Sequence, residues 1–257
     1  KTAYEISLGL VGSEMCIRYR NDYWKLSAYE SAKLVRDGII SAEDLVSSCI
    51  ERVNQTNNKI NAIVDDLSAS ALKKANELDK LTKKGKFKGP LHGVPITIKE
   101  NIDQKGYATP NGLEALKNLI APGNAPVVDN LEKDGAIVIG RTNTPEFSMR
   151  GTTDNVIHGR TFNPWNDWAS PGGSSGGASA AVMSGMGSLA HGNDIAGSLR
   201  IPSTATGACT VKPGLGRVPA YNPSQTQERV HIAQQKSVQR VIAREIKDIR
   251  LGKQSLI

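Results

Sequence analysis

Two serine clusters and one lysine carry the residue types from which acyl transfer could be built. The first cluster is Ser170-Pro171-Gly172-Gly173-Ser174-Ser175-Gly176-Gly177-Ala178-Ser179, and the second is Gly192-Asn193-Asp194-Ile195-Ala196-Gly197-Ser198-Leu199-Arg200-Ile201-Pro202. Lys99 closes the segment Ile96-Thr97-Ile98-Lys99 and is followed by Glu100 and Asn101. A serine hydroxyl is a poor nucleophile until a base takes its proton, and an ordinary lysine, with a pKa near ~10.4, is already protonated at neutral pH. Lys99 can act as that base only if burial removes enough water to populate the neutral amine. A second serine between nucleophile and amine would then relay the proton, accepting from one and donating to the other.

A glycine-serine string admits other chemistries. A flexible linker does not run straight into a helix of small residues, nor is it framed by Trp165, Trp168 and Pro171. A phosphate cradle at a helix N-terminus would need the Walker lysine, which is missing, and Gly185-x-Gly187 only loosely matches a dinucleotide loop. Gly172-x-Ser174-x-Gly176 and Gly173-x-Ser175-x-Gly177 both fit a nucleophile elbow. That elbow ends a strand and is served by a histidine. Here the preceding Asn163-Pro164-Trp165-Asn166-Asp167-Trp168 is turn-like, His191 stands very close, and His231 lies in a charged tail.

With Lys99, the two clusters strongly resemble the amidase signature family, serine hydrolases with a Ser, cis-Ser, Lys triad. The similarity runs from about Ser27 to the C-terminus, and Ser174 and Ser198 stand 24 residues apart, the family's spacing. The resemblance implies that Ser198 is the nucleophile, Ser174 the bridging serine on a cis peptide, and Lys99 the ultimate base. It implies an oxyanion hole of backbone N–H groups from Ile195, Ala196, Gly197 and Ser198, and a substrate-lining place for Ser148. The expected substrate is a small-molecule amide, cleaved without metal or organic cofactor, and a homodimer is left open. Asp194 and Arg200 are expected to brace the oxyanion loop, and His92, His158 and His191 to be structural. Two rivals stand beside this reading: a glutaminase subunit of a tRNA-dependent amidotransferase, and an inactive truncated fragment. Ala196 replaces a glycine common in the family but keeps its N–H, and Met183 replaces a small residue. Family members are considerably longer, so residues 21–257 read as a partial amidase signature domain, ending in a basic, helix-like stretch with no closing strand.

The elements that must position these groups follow from periodicity. Ala28, Ala32, Leu34 and Val35 recur at helical spacing up to Gly38; Ser41 caps a second helix to about Asn54; a third runs from Ser68 to Lys83 before a solvated Lys84-Gly85-Lys86 linker. These three form an N-terminal helical layer. Val94, Ile96 and Ile98 then alternate as a short strand, a helix covers Val127 to Lys133, and Ala136 to Ile139 is an apolar run suited to a buried strand. The implied class is α/β, with a mixed β-sheet core covered by helices.

Composition closes off other functions. At 257 residues and 39% hydrophobic the chain can bury a real core. Aromatics at 5% disfavour a single-stranded nucleic-acid platform. Of the formal charge of +7, most sits between Glu228 and Lys253, where seven cations face three anions. Such a run reads as a solvated helix face, which argues for no nucleic-acid partner. No stretch approaches the ~20 apolar residues of a membrane span. Three cysteines without C-x-x-C spacing suit a reducing, cytoplasmic compartment. Residues 1–20 lack a start methionine and the order of a secretory leader. They are read as a non-native leader, with Glu5 to Arg20 resembling a translated sequencing adaptor.

Overall fold

Serine caps start the first two helices. Ser27 accepts from the Glu30 N–H while the Glu30 carboxylate accepts from the Ser27 N–H, a complete capping box that opens α1 (Ala28–Arg36). Ser41 accepts from the Asp44 N–H and opens α2 (Ala42–Ile60). This helix runs past the expected end near Asn54 because its stop is Asn61, which takes the left-handed conformation at φ 51°. The computed structural model describes residues 22–228 and 231–256, so the leader expected at 1–20 lies outside the described residues.

The remaining elements are β1 (Ile63–Asp66), α3 (Ser68–Thr82), β2 (Pro95–Lys99), α4 (Pro126–Lys133) and β3 (Ile137–Thr142). They are followed by α5 (Gly176–Met183), β4 (Leu189–Asp194), α6 (Arg200–Thr206), β5 (Cys209–Thr210), α7 (His231–Lys236), β6 (Val238–Ala243) and α8 (Ile246–Gln254). The sheet order is β1-β3-β2-β4-β6-β5. Its central strands β3, β2 and β4 are parallel; β1 on one side and β6 on the other run antiparallel to them, and β5 pairs antiparallel with β6. The mixed sheet covered by helices is therefore as expected.

All five residues of β2 are buried, although they alternate in polarity, because the strand has neighbours on both sides and helices over both faces. Ile96 and Ile98 face one layer with Val138, Leu189, Val241 and the apolar side of α4. Ile137 and Ile139 face Leu45, Val46, Ala75 and Leu78 of α2 and α3. The helical layer is real, but α1 divides itself, with Ala28 and Ala32 in the first core and Val35 in the second. Thr97 and Lys99, out of phase with the isoleucines, are left to face the small-residue helix α5.

The C-terminal expectation needs correction. Val238–Ala243 is a fully buried strand paired antiparallel with β4 from Leu189↔Ala243 to Asp194↔Val238. The solvated helix face expected of this run holds for its flanks, where Lys236 on α7 and Lys247, Arg250 and Lys253 on α8 are exposed, but not for its middle. Its basic residues conceal a Val-x-x-Val-Ile-Ala strand, and Arg240 is itself only 4% exposed.

Candidate active site

The carboxyl ends of parallel strands share one edge of a sheet, and loops leaving that edge converge on a common crevice. Here β2 delivers Lys99, β3 delivers Thr142 into the Asn143-Thr144 turn, and β4 delivers Asp194 into the turn that carries Ser198. Ser174 and Ser175 stand just before α5, and Ser198 just before α6. The Ser175 N–H donates to the Ser198 carbonyl at 3.2 Å, joining the two serine segments. The close approach of α5 depends on Gly177, where a Cβ would meet the Asn143 backbone oxygen at 2.5 Å and nitrogen at 2.6 Å.

The Lys99 side chain is completely buried. Its Nζ lies 2.7 Å from Ser174 Oγ, 2.8 Å from Asn193 Oδ1 and 3.2 Å from Ser175 Oγ. Burial of the ammonium pulls its pKa down to about 7, against the opposing carboxylates of Glu100 and Asp194. The Gly173–Ser174 peptide is cis, as the resemblance implied. Ser198 is half-buried, and among the described residues no hydrogen bond joins its hydroxyl to that of Ser174. Bonds of this kind are often long in the free enzyme and tighten when substrate enters.

The turn after β4 is organised by one carboxylate. Asp194 accepts from the Gly197 N–H at 2.7 Å and the Leu199 N–H at 3.2 Å, and from Arg200 Nε at 3.0 Å and its second guanidinium nitrogen at 3.1 Å. Burial pushes this carboxyl up, but the bonds from Arg200, Gly197 and Leu199 together outweigh it and hold the group below its usual range. The bracing expected of Asp194 and Arg200 is thus present in the geometry. One expectation changes: the Gly197 N–H is committed to Asp194. Among the described residues, the N–H groups of Ile195, Ala196 and Ser198 have no acceptor.

Ser148 follows Phe147 in a turn where both residues have positive φ, 54° and 58°. Its hydroxyl donates to Asn111 Oδ1 at 2.7 Å and accepts from Asn101 Nδ2 at 2.9 Å, so it is hydrogen bonded toward Lys99's neighbours. Thr144 Oγ1 donates to the Ser174 carbonyl at 3.1 Å. The histidines take supporting positions: His158 Nε2 lies 3.0 Å from Glu100 Oε2, His191 Nε2 lies 2.9 Å from Gln239 Oε1, and His92 Nε2 lies 2.9 Å from Thr82 Oγ1. Burial lowers His191 to about 4 and keeps it neutral.

Asn193, Asn101 and Ser175 contact the lysine or its partner and were assigned no role from sequence. The only sequence signal is position: Ser175 and Asn193 adjoin Ser174 and Asp194, and Asn101 stands two residues after Lys99. A cavity of about 700 Å³ lined by Leu215, Val218, Tyr221 and Ala233 includes none of these groups. Among the described residues no cluster of His, Cys, Asp and Glu is suited to a metal ion, and no helix is long and apolar enough to cross a membrane.

Residues 44–257 match the family model described as Amidase. The chain is 53% identical over 229 residues to an indoleacetamide hydrolase of Bradyrhizobium diazoefficiens, covering 89% of this chain and 44% of that protein. It is 45% identical over 200 residues to an acylamidase of Rhodococcus erythropolis, covering 78% and 42%. To a glutamyl-tRNA(Gln) amidotransferase subunit of Endomicrobium trichonymphae it is 40% identical over 187 residues, covering 73% and 39%. Among solved structures, a bacterial aryl acylamidase of the amidase signature enzymes superposes with a TM-score of 0.84 at 32% identity, over 92% of this chain and 48% of that one. The chain spans less than half the length of these curated relatives. Matched over most of its length by sequence and by fold, it belongs to the amidase family, among the amidase signature enzymes.

Proposed function

We propose that this chain carries the catalytic centre of an amide hydrolase that works through a serine ester. Ser198 Oγ attacks the carboxamide carbon, its proton passes to Ser174 Oγ, and Ser174 passes its own hydrogen to the neutral Lys99 amine. The carbonyl oxygen, now negative, is met by the N–H groups of Ile195, Ala196 and Ser198. When the C–N bond breaks, the proton returns from Lys99 through Ser174 to the departing amine. Water then repeats the sequence on the ester, releasing the acid and restoring Ser198.

The observation that carries this reading is the Lys99 nitrogen, sealed from solvent and 2.7 Å from Ser174 Oγ. Burying an amine is costly to stability, whereas a base needs that setting. Ile195 and Phe147 are 38% and 61% exposed beside the oxyanion turn and Ser148. This apolar rim suits an amide with an aryl or aliphatic substituent, with Ser148 lining its path. The similarity to an indoleacetamide hydrolase and to acylamidases agrees with such substrates. The glutaminase reading stands second, because identity to the amidotransferase relative is lower; glutamine hydrolysis that appears only with added partner subunits would reverse the order.

The test is turnover of a panel of aryl and aliphatic amides by the parent chain and by Ser198→Ala and Lys99→Ala. Both variants are expected to lose turnover by ~10⁴-fold or more. Undiminished hydrolysis by either one rejects the triad.

A further inference from the structure

We infer that Asn193, latched by Asn101, is a positioning residue that turns the lone pair of Lys99 toward Ser174. The inference rests on the triad reading above and adds to it the means by which the amine is aimed.

A neutral lysine amine has two N–H donors and one lone pair, and here Nζ has three neighbours. Asn193 Oδ1, at 2.8 Å, carries no hydrogen and can only accept. Ser175 donates its hydroxyl hydrogen to the Asn193 carbonyl at 3.3 Å and receives the Asn193 N–H at 3.4 Å, so toward Nζ at 3.2 Å it also accepts. Both N–H bonds are then spent. The lone pair is left facing Ser174 Oγ at 2.7 Å, the direction from which a proton must arrive.

This assignment fails if the Asn193 amide turns over and presents its NH₂ to Nζ. Asn101 opposes that. Asn193 Nδ2 donates to Asn101 Oδ1 at 3.0 Å, and Asn101 Nδ2 lies 3.4 Å from Asn193 Oδ1, a reciprocal amide pair in which a flip would set oxygen against oxygen and nitrogen against nitrogen. Asn101 is held in turn. Its Nδ2 donates to Ser148 Oγ at 2.9 Å, and Ser148 has given its own hydrogen to Asn111, so it can only accept. Asn222 Nδ2 fixes the Asn101 backbone carbonyl at 3.0 Å. A run of oriented polar groups therefore extends from the lysine to the Phe147-Ser148 turn.

The test compares the 257-residue chain with Asn101→Leu and Asn101→Asp, following kcat and KM across pH and titrating Lys99 by NMR of ¹³C-labelled lysine, its signal assigned with Lys99→Met. In Asn101→Leu the freed Asn193 turns its donor to Nζ. The Lys99 midpoint then falls, and kcat drops by roughly a hundredfold with KM changed less than about twofold. Asn101→Asp still offers an oxygen to Asn193 Nδ2, so kcat recovers by about tenfold at high pH, and the added negative charge moves the midpoint upward. A Lys99 midpoint unmoved in both variants, or a kcat loss in Asn101→Leu that Asn101→Asp does not recover, overturns the inference. The NMR arm needs no turnover. Full activity in Ser198→Ala would reject the triad itself, whereas an inactive Ser198→Ala beside an unaffected Asn101→Leu rejects only the latch.

Discussion

At the scale of the residue, the proposed role of Lys99 predicts how rate and stability depend on pH. Burial lowers its pKa to about 7, and only the neutral form can take a proton, so kcat should rise with pH through about 7 and then level. Initial rates on an aryl amide from acid to alkaline pH check this; a flat profile counts against the amine. The same shift makes a stability prediction of definite sign. Between the native value and the unfolded value near ~10.4 the unfolded chain holds a proton that the native chain has released, so wild-type stability climbs with pH by ~1.4 kcal/mol per unit across that window. Lys99→Met carries no such group. Its stability relative to wild type should be most favourable at and below pH 7 and should shrink steadily by pH 9. Urea denaturation of both proteins at several pH values measures the gap, and a constant gap would show that the native lysine keeps an ordinary pKa.

At the scale of the element, the turn between β4 and α6 is organised by Asp194, which the proposed mechanism uses to present backbone N–H groups. Two of its four bonds go to backbone N–H groups within five residues, which curls the segment, and among the described residues the Ile195, Ala196 and Ser198 N–H groups have no acceptor. Asp194→Ala should therefore destabilise by about 2 kcal/mol and slow hydrolysis by roughly a hundredfold. Arg200→Ala, at a side chain 54% exposed, should cost less than ~1 kcal/mol. Equal effects of the two on rate, read by kcat and thermal melting together, would mean that the ion pair and not the backbone bonds shapes the turn. Elements with a local signal were legible in advance: the cap at Ser41, the breaker near Gly85, and the apolar run of β3. The approach of Lys99 to Ser174, at 2.7 Å, joins two motifs that stand apart in sequence. What was not legible had its cause at long range. Ile63–Asp66 reads as half polar and becomes a strand only because β3 lies beside it, with Asp65 exposed enough to meet Arg141 at 3.0 Å. Asn101 and Asn193 are 92 residues apart and become a pair only when β2 and β4 are neighbours.

At the scale of the whole molecule, the basic C-terminal run is part solvated helix and part cross-link, a division that a charge count does not separate. Arg244 follows β6 and reaches across the fold: it donates to the carbonyls of Val182 at 2.9 Å and Gly187 at 3.3 Å near the end of α5, and to those of Trp24, at 3.1 Å, and Leu26 in the N-terminal turn. Five guanidinium N–H donors in a rigid fork suit this task, because one side chain can reach carbonyls from three segments of the chain at once. The cation is therefore a cross-link between the start of the described chain, the small-residue helix over the site and the strand next to β4. Arg244→Met keeps much of the apolar stem and removes every donor, stranding partly buried carbonyls at ~1–3 kcal/mol each where water cannot reach them. A loss of about 3 kcal/mol in urea denaturation is expected, together with faster amide hydrogen exchange in α1 and α5 at once, since both lose the same anchor. Arg250→Met, an exposed residue on α8 in the same basic run, should change stability by less than ~0.5 kcal/mol. If the two substitutions cost the same, the run is a solvated charge surface after all, and the anchoring of the N-terminal turn has to be sought in the apolar contacts of Trp24 and Leu26 with the α2 and α3 core.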